Sequence, residues 1–333
     1  MASASSSKSE QSYIRSSLLA NPPLRSDGRA PEDYRQIALE TKVTPLANGS
    51  ARVNIGGTSL NGVGGSLIGT EVLAAVKLEV ETLDKVNDRG ANEIVNDAGR
   101  ILCNVSCSPS AYPNLSHAAL DELQNDFTTI LQESLSHASL RPKNLTILPG
   151  KKSWLLHLDL LVLSENGNIY DALFLAASAA LRDTRVPKTR SIEYKTQGRG
   201  GSRAIDRMLG DDTKEQEQAS GFDTMAIKKA TDFELIDYWD EGESLDCGSS
   251  WPVCVTLNLV PPIYFVDATP MEETAVMSRV LLLYTLKDTE MKVSGVRLLG
   301  SGEMDMKVIK SLFRNGEKHA RELQNALDVY LSS

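Results

Sequence analysis

The chain has 333 residues, of which 41% are hydrophobic, and a net charge of −9. This length suits one large domain or two of ordinary size, and the hydrophobic content supports a packed core and excludes a disordered chain. No apolar run approaches the ~20 residues of a membrane-spanning helix, and the polar start, MASASSSKSEQS, lacks the apolar segment of a secretory signal. We therefore expect a protein of the cytosol or nucleus without membrane association.

Cysteines, histidines and charges argue against a metal site and against a nucleic-acid surface spread over the whole chain. The histidines are scattered, and the cysteines lack the paired C-x2-C spacing of structural zinc sites. We expect free thiols, no metal and no other cofactor. Basic residues dominate from Arg182 to Arg207, and acidic residues dominate from Asp211 to Asp246. Such blocks are usually solvated faces or loops, and a phosphate-facing role for the basic block is the less common alternative.

The first part of the chain predicts an arm followed by three strands. Residues 1–20 are expected to form a flexible arm with at most one helical turn. Strands are expected at 38–43 and 50–55, because Asn48-Gly49 between them is a strong signal for a hairpin turn. Apolar and charged residues alternate over 72–81, which predicts a third strand with one buried and one wet face.

The second and third strands are separated by a glycine-rich segment at 57–68. Glycine-rich loops often bind phosphate. This segment, however, lacks G-x-G-x-x-G spacing, a following lysine and a following helix. It therefore favours an insertion at the tip of a hairpin over a nucleotide site, and a phosphate-binding small-molecule enzyme is the weakest of the functions considered.

The middle of the chain predicts two helices on either side of a long strand. Apolar residues recur at three- and four-residue steps over 118–136, which predicts an amphipathic helix. A long apolar strand over 153–163 is interrupted by His157 and Asp159, and the segment ENGN then turns the chain. An alanine-rich helix is expected over 170–184, and its small side chains suit close packing against a sheet.

The last part of the chain predicts an insertion, more strands and a final helix. Residues 196–229 are glycine-rich and charged, which predicts a mobile surface insertion, and a helix with one apolar stripe begins at about residue 305. Between them we expect four strands, at 253–260, 263–269, 280–286 and 291–299. The order of elements suggests an α+β protein of two related halves, at 21–195 and 230–333.

Four segments of the chain resemble RNase PH-like proteins. In chain order they are RSDGR, the hairpin NGSARVNIG with GTEVLAAVKLEV, the long unit WLLHLDLLVLSENGNIYDALFLAASAALRDTRVP, and PVCVTLNLV with a D-x-T-x-x-E-E signature (Asp267, Thr269, Glu272, Glu273). Each motif is modest alone, but four in this order are specific. The resemblance covers residues 24–333 apart from the two insertions, and it implies the RNase PH-like fold (ribosomal protein S5 domain 2-like), with two mixed-sheet halves and packed helices.

Within that family, the turn Asn166-Gly167-Asn168 with Asp171-Ala172 is similar to subunits of the eukaryotic RNA exosome ring. The resemblance implies a six-membered ring in which this chain pairs with another RNase PH-like subunit, beneath three S1/KH cap subunits. It also implies an associated 3'-to-5' exoribonuclease and single-stranded RNA in the central channel. The work of such a nine-subunit core is rRNA processing and RNA degradation, and we expect it in the nucleus, the nucleolus and the cytoplasm.

Phosphorolysis attacks the terminal RNA phosphodiester with inorganic phosphate, so its site must hold two anions and needs carboxylates for a metal or a proton. The catalysts of the family supply paired arginines before and within the first long helix. Here no arginine or lysine occurs from Ile101 to Leu140, and Asn166 stands where the catalytic lineage has aspartate, although Asp159 and Asp171 remain. We predict no catalytic residues and no independent activity. The alternative is a phosphate-dependent 3'-to-5' exoribonuclease or half of a composite phosphorolytic site.

Four basic residues are the candidates for RNA contact. Arg52 and Lys77 lie on the first hairpin, and Lys151 and Lys152 precede the long strand. Their contacts would be to phosphates, without sequence readout. For each of them, an ordinary solvated cation is the competing interpretation and the more common one.

Overall fold

Two sheets organise the chain, with the helices packed between and around them. The computed structural model describes residues 6–57, 69–82, 99–193, 222–223, 230–236, 242–247, 251–287, 290–301 and 306–332. The helices are α1 (Lys8–Leu18), α2 (His117–Leu135), α3 (Ile169–Asp183), α4 (Pro270–Ala275) and α5 (Met306–Ser332). None of the helices described is long and apolar enough to cross a membrane.

The first sheet has the order β1-β2-β3-β6-β4, with β5 paired to β6. All pairs are antiparallel except β4 with β6, which is parallel. The strands are β1 (Ile37–Thr41), β2 (Gly49–Ile55), β3 (Thr70–Thr82), β4 (Ile101–Cys107), β5 (Thr146–Leu148) and β6 (Lys152–Ser164). Alternate residues of β2, β4 and β6 are buried, so one face of this sheet is covered by α2 and α3 and the other face is open.

The second large sheet has the order β13-β12-β14-β15. The remaining strands of the chain are β7 (Arg185–Val186), β8 (Thr189–Glu193), β9 (Phe222–Asp223), β10 (Asp232–Leu235), β11 (Glu243–Ser244), β12 (Val253–Val260), β13 (Ile263–Phe265), β14 (Ser278–Lys287) and β15 (Glu290–Gly300). Every residue of β12 is buried, because α3 packs on one side of it and α5 on the other. This two-sided cover explains its continuous apolar sequence, VCVTLNLV.

Helix α3 joins the two sheets. Its residues from Ile169 to Leu181 are all buried, and the helix contacts β2, β3 and β12. Alanine at five of these positions lets the helix backbone approach both sheets closely. The largest apolar cluster therefore runs through both halves of the chain, from Val53 in β2 to Leu283 in β14.

The two long helices of the middle region were predicted to within one residue at each end, and the long strand likewise. The strand predicted at 263–269 is wrong at its end, because β13 stops at Phe265 and α4 follows. Thr269 caps α4 and Pro270 occupies its first position, where a missing N–H costs nothing. Strand β4 was not predicted, although its alternating burial is regular.

The prediction of at most one helical turn within residues 1–20 is wrong, because α1 spans 11 residues. The flexibility of this segment stays a prediction. Ser7 caps this helix, since its hydroxyl accepts from the Glu10 N–H at 3.2 Å and its own N–H donates to the Glu10 carboxylate at 2.7 Å. The helix packs on α4, and the Arg15 guanidinium donates to the Ala275 carbonyl at 3.0 Å. The S-x-x-E spacing of this capping box, Ser7 to Glu10, is the signal in the sequence that predicts the start of this helix.

The two predicted insertions lie mostly outside the described residues. Of 57–68 only Gly57 is described, while β2 and β3 pair on either side of it down to Ile55 opposite Thr70. Of 196–229 only β9 is described, and it pairs with β8. The mobility of the second insertion stays a prediction.

Candidate functional site

The turn between β6 and α3 lies at the junction of the two sheets. Its carbonyls accept hydrogen bonds from Arg35, whose Nη1 donates to Asn166 O at 2.7 Å and whose Nη2 donates to Gly167 O at 3.2 Å. The Thr70 hydroxyl also donates to Gly167 O, at 2.6 Å. Gly167 has φ +80°, and a Cβ at this position would collide with the Ala268 carbonyl oxygen. The turn therefore requires glycine at position 167, and it places Asn168 in the left-handed region at φ +58°.

The first amide of α3 is bonded to a carboxylate of the chain itself. The Asn168 N–H donates to Glu273 Oε1 at 2.9 Å, and the other oxygen of Glu273 pairs with Arg279 Nη1 at 2.8 Å. A helix N-terminus is a common binding position for a phosphate or another anion. Here Glu273 fills that position from the second half of the molecule.

Asp171 lies in the first turn of α3 and has no exposed surface. Its carboxyl accepts from Thr256 Oγ1 at 2.7 Å, Asn168 Nδ2 at 3.0 Å and the Tyr34 hydroxyl at 3.3 Å. Burial raises the pKa of Asp171 to about 7, despite the hydrogen bonds from Thr256 and Asn168 that favour its ionised form. These contacts tie α3 to β12 and leave the carboxyl without access to a bound polymer.

The two motifs at opposite ends of the resemblance form buried ion pairs with each other. Arg25 makes a two-point pair with Glu272, with Nε–Oε1 at 2.9 Å and Nη2–Oε2 at 2.7 Å. Arg29 Nη1 and Arg35 Nη2 bind the two oxygens of Asp267 at 2.6 and 2.7 Å. RSDGR and D-x-T-x-x-E-E, together with Arg35, therefore form one network of ion pairs. We call it the arginine–carboxylate lock (Arg25, Arg29, Arg35, Asp267, Glu272).

The surroundings of Asp267 favour the ionised form of its carboxyl. Burial by itself would raise the pKa of Asp267, but the hydrogen bonds and charge of Arg35, together with the charge of Arg29, hold that pKa below its ordinary value. Sequence reasoning listed these residues, except Arg35, as motif positions and missed their partnership. The available signal was the sign of the charges, since three arginines lie within residues 25–35 and three carboxylates lie within residues 267–273.

The open face of the first sheet carries a small polar group around Asp159. Its carboxylate accepts from Asn104 Nδ2 of the neighbouring strand at 3.3 Å. Next to it in the sheet, Lys77 stands opposite His157, and Glu79 lies within 2.5 Å of Lys77 Nζ and 3.4 Å of His157 Nε2. Asp159 and Asp171 share no hydrogen-bond partner, so the structure does not bring the two carboxyls into one site.

The first two candidate RNA-binding residues lie on this open face and already have acidic partners. Arg52 pairs with Glu71 at 2.7 Å and more loosely with Glu40 at 3.8 Å. Lys77 pairs with Glu79. Both cations are substantially exposed, so these pairs are weak and exchange readily for other anions.

The other two candidates connect β6 to the chain that follows the second insertion. Lys151 Nζ donates to the Ala230 carbonyl at 2.5 Å. Lys152 Nζ pairs with Asp232 at 2.8 Å and lies 5.4 Å from the centre of the Phe233 ring. The structure thus places the four candidates in two separate groups, and their contact with RNA stays a prediction. Among the described residues, no group of three or more His, Cys, Asp or Glu side chains fits a metal ion.

Comparison with known proteins identifies the domain that carries these features. Residues 33–187 match the model of the 3' exoribonuclease family, domain 1, of the RNase PH type. These residues resemble domain 1 of that family. The matched range includes Arg35, the tight turn, α2 and α3, whereas the carboxylates of the lock lie outside it. The lock thus ties the matched range to the second half of the chain.

Two relatives carry similar names, and one of them matches most of this chain. The chain is 27% identical over 316 residues to a "Putative exosome complex exonuclease RRP42" of Dictyostelium discoideum, and the match covers 82% of both proteins. It is 30% identical over 186 residues to the "Exosome complex component Rrp42" of Thermoplasma acidophilum, a match that spans 55% of this chain and 63% of that protein. The match to this archaeal relative is therefore shorter than the match to the Dictyostelium relative.

The solved structures agree on the fold. A chain of the Archaeoglobus fulgidus exosome with RNA bound to the active site superimposes with a TM-score of 0.65 at 22% identity, covering 95% of this chain and 97% of that chain. The predicted α+β, RNase PH-like fold is confirmed. The prediction of two mixed-sheet halves is wrong for the second half, because all pairs described in the sheet β13-β12-β14-β15 are antiparallel.

Proposed function

We propose that the chain is a non-catalytic ring subunit of an exosome core, which builds the channel through which RNA passes to be processed or degraded from its 3' end. The proposal is supported by the match over 82% of its length to a relative named for the exosome. It is also supported by the superposition of nearly the whole chain on an exosome subunit.

The observation that carries the non-catalytic part is the electrostatics around the tight turn between β6 and α3. No arginine or lysine occurs from Ile101 to Leu140, a range that includes β4 and α2, and the amide of Asn168, which caps α3, is held by Glu273. A phosphate and a phosphodiester at this place would meet arginines that already pair with carboxylates of the chain, Arg35 with Asp267 and Arg279 with Glu273. Transition-state stabilisation would then be lower by several kcal/mol.

In this role the chain pairs with another RNase PH-like subunit within a six-membered ring. S1/KH cap subunits, an associated 3'-to-5' exoribonuclease and single-stranded RNA complete the assembly, which works in the nucleus, nucleolus and cytoplasm. Arg52 and Lys77 are the better RNA candidates, since they are exposed on an open sheet face, whereas Lys151 and Lys152 have structural partners within the chain.

A second function is favoured by the names alone: the family model describes a 3' exoribonuclease, and one relative is called an exonuclease. In this alternative the chain supplies half of a composite phosphorolytic site and a partner supplies the missing cations. Asp159 is then the carboxylate to consider, because it is exposed, whereas Asp171 is sealed between the sheets.

The decisive experiment is reconstitution with the other eight core subunits, followed by an assay with poly(A) and inorganic phosphate. We expect a stoichiometric nine-protein complex, and no metal-dependent release of nucleoside diphosphate from the purified chain. An Asp159→Asn variant should leave any phosphorolysis by the complex unchanged. Release that depends on Asp159 would support the composite site, and failure to enter the complex would contradict the structural role.

A further inference from the structure

The loop between β1 and β2 presents the most exposed large apolar side chain of the described residues. Leu46 at its tip is 97% exposed, and the neighbouring Val43 and Pro45 are exposed as well. A single exposed leucine is ordinary on a protein surface. Three apolar residues at the tip of one short loop are not, and the loop has no aromatic residue.

Hydrogen bonds to three elements, β2, β3 and β7, hold this loop in one conformation. The Asn48 N–H donates to Val76 O of β3 at 2.8 Å, its side-chain oxygen accepts from Leu78 N at 3.1 Å, and its carbonyl accepts from Arg185 N at 2.9 Å. The Thr44 N–H donates to the Ser50 hydroxyl at 2.9 Å. A loop that is already ordered loses little conformational entropy when it binds.

Two cations line a cavity that this loop forms in part. Lys42 and Arg185 line a cavity of about 400 Å³ beneath the loop, and neither forms an ion pair with any residue that the structure describes. One carboxylate, Asp183, also lines the cavity, and its Oδ2 accepts from the Ser50 N–H at 3.1 Å. Lys42 has φ +58°, a left-handed backbone that costs free energy for a residue with a side chain. With two cations and one carboxylate, the lining of this cavity carries a net positive charge, although the whole chain has a net charge of −9.

We propose that residues 42–48 and Arg185 form a docking site for a partner protein, whose apolar socket accepts Leu46 and whose rim carboxylates pair with Lys42 and Arg185. The pairing of an ordered apolar tip with the cations of the adjoining cavity fits a protein interface, where burial gives affinity and rim charges give specificity. Single-stranded RNA fits less well, because its bases stack on aromatic side chains. The choice of partner, another subunit of the same core, rests on the proposed function.

The test uses the reconstituted nine-subunit core. A benzophenone-bearing phenylalanine at position 46 should crosslink to one protein subunit, whereas the same residue at position 13, where Tyr13 is also highly exposed, serves as the matched control. Leu46→Asp and the double variant Lys42→Glu with Arg185→Glu should each lower the affinity for the remaining subunits about tenfold. The double variant should also flatten the salt dependence of assembly.

Each outcome decides between distinct conclusions. If the core assembles but position 46 forms no protein crosslink and both variants bind like the wild type, the docking site is refuted and the proposed function stands. Crosslinks from position 46 to bound RNA would assign the surface to nucleic acid and overturn the proposal. If the wild-type chain does not enter the core at all, the proposed function fails, and the docking site fails with it.

Discussion

One buried ion pair, between Arg25 and Glu272, holds the start of the chain against its second half. Arg25 and Glu272 have almost no exposed side-chain surface, and the guanidinium also donates to the carbonyls of Val266 and Asp267. A buried charge that loses its partner has no solvent to compensate it. The lock is therefore a point where one substitution has a large effect, even though it lies outside any catalytic arrangement.

Replacing Arg25 by alanine should lower the free energy of unfolding by roughly 3–5 kcal/mol, because Glu272 would be left as an uncompensated buried carboxylate. The matched control is Arg52→Ala, which breaks an exposed pair and should cost no more than about 1 kcal/mol. Urea unfolding followed by circular dichroism gives both values. Equal effects of the two variants would mean that the lock contributes no more than a surface pair.

Asp171 makes the free energy of unfolding depend on pH with the opposite sign to Asp267, because the pKa of Asp171 is raised and that of Asp267 is lowered. Its pKa is raised from 3.8 to about 7 in the folded chain, so the folded state keeps a proton that the unfolded state has lost. Between these two values the free energy of unfolding should fall as the pH rises, through this group. In Asp171→Asn this contribution disappears. The test is the difference in unfolding free energy between pH 5 and pH 8, and an unchanged difference in the variant would contradict the assignment.

At the scale of elements, sequence periodicity predicts the helices and strands that bury one face and expose the other. The stripes of α2 and the alternation of β3 gave correct elements, because each has one buried and one exposed face. The lock could not be predicted in this way, since its partners are more than 230 residues apart and no periodicity links them. The helix α1 was missed for another reason: its sequence is polar, and its signal lies in the cap.

The β2–β3 hairpin should tolerate the loss of its tip. The two strands are paired over seven positions, and Gly57 N and Gly69 O are bonded to Asn54 and Ser164 respectively. Replacing residues 58–68 by a two-residue Asn-Gly turn should leave the free energy of unfolding within about 0.5 kcal/mol, because closure entropy changes slowly with loop length. Urea unfolding would measure this. Loss of the folded state would show that the glycine-rich segment has a structural role.

At the scale of the whole molecule, α3 packs against both sheets, and the range that matches the family model, 33–187, is completed by strands and carboxylates that follow it in the chain. The sequence motifs were sufficient to predict the fold, since each belongs to one buried element or turn. They were not sufficient for the site. Motif residues such as Asp267 are used to bind arginines, and the lysines at 151 and 152 are used to hold the chain after the second insertion.

The long separation of the lock's partners has a consequence for synthesis on the ribosome. Arg25 and Glu272 are 247 residues apart in sequence, so the arginine leaves the ribosome long before its carboxylate exists. At about 5–20 residues per second, the wait is on the order of ten to fifty seconds. During that time the start of the chain cannot be fixed in its final position. Any pairing of the first sheet during synthesis therefore takes place before the lock can form, and Arg25 meets its carboxylate only after residue 272 has left the ribosome.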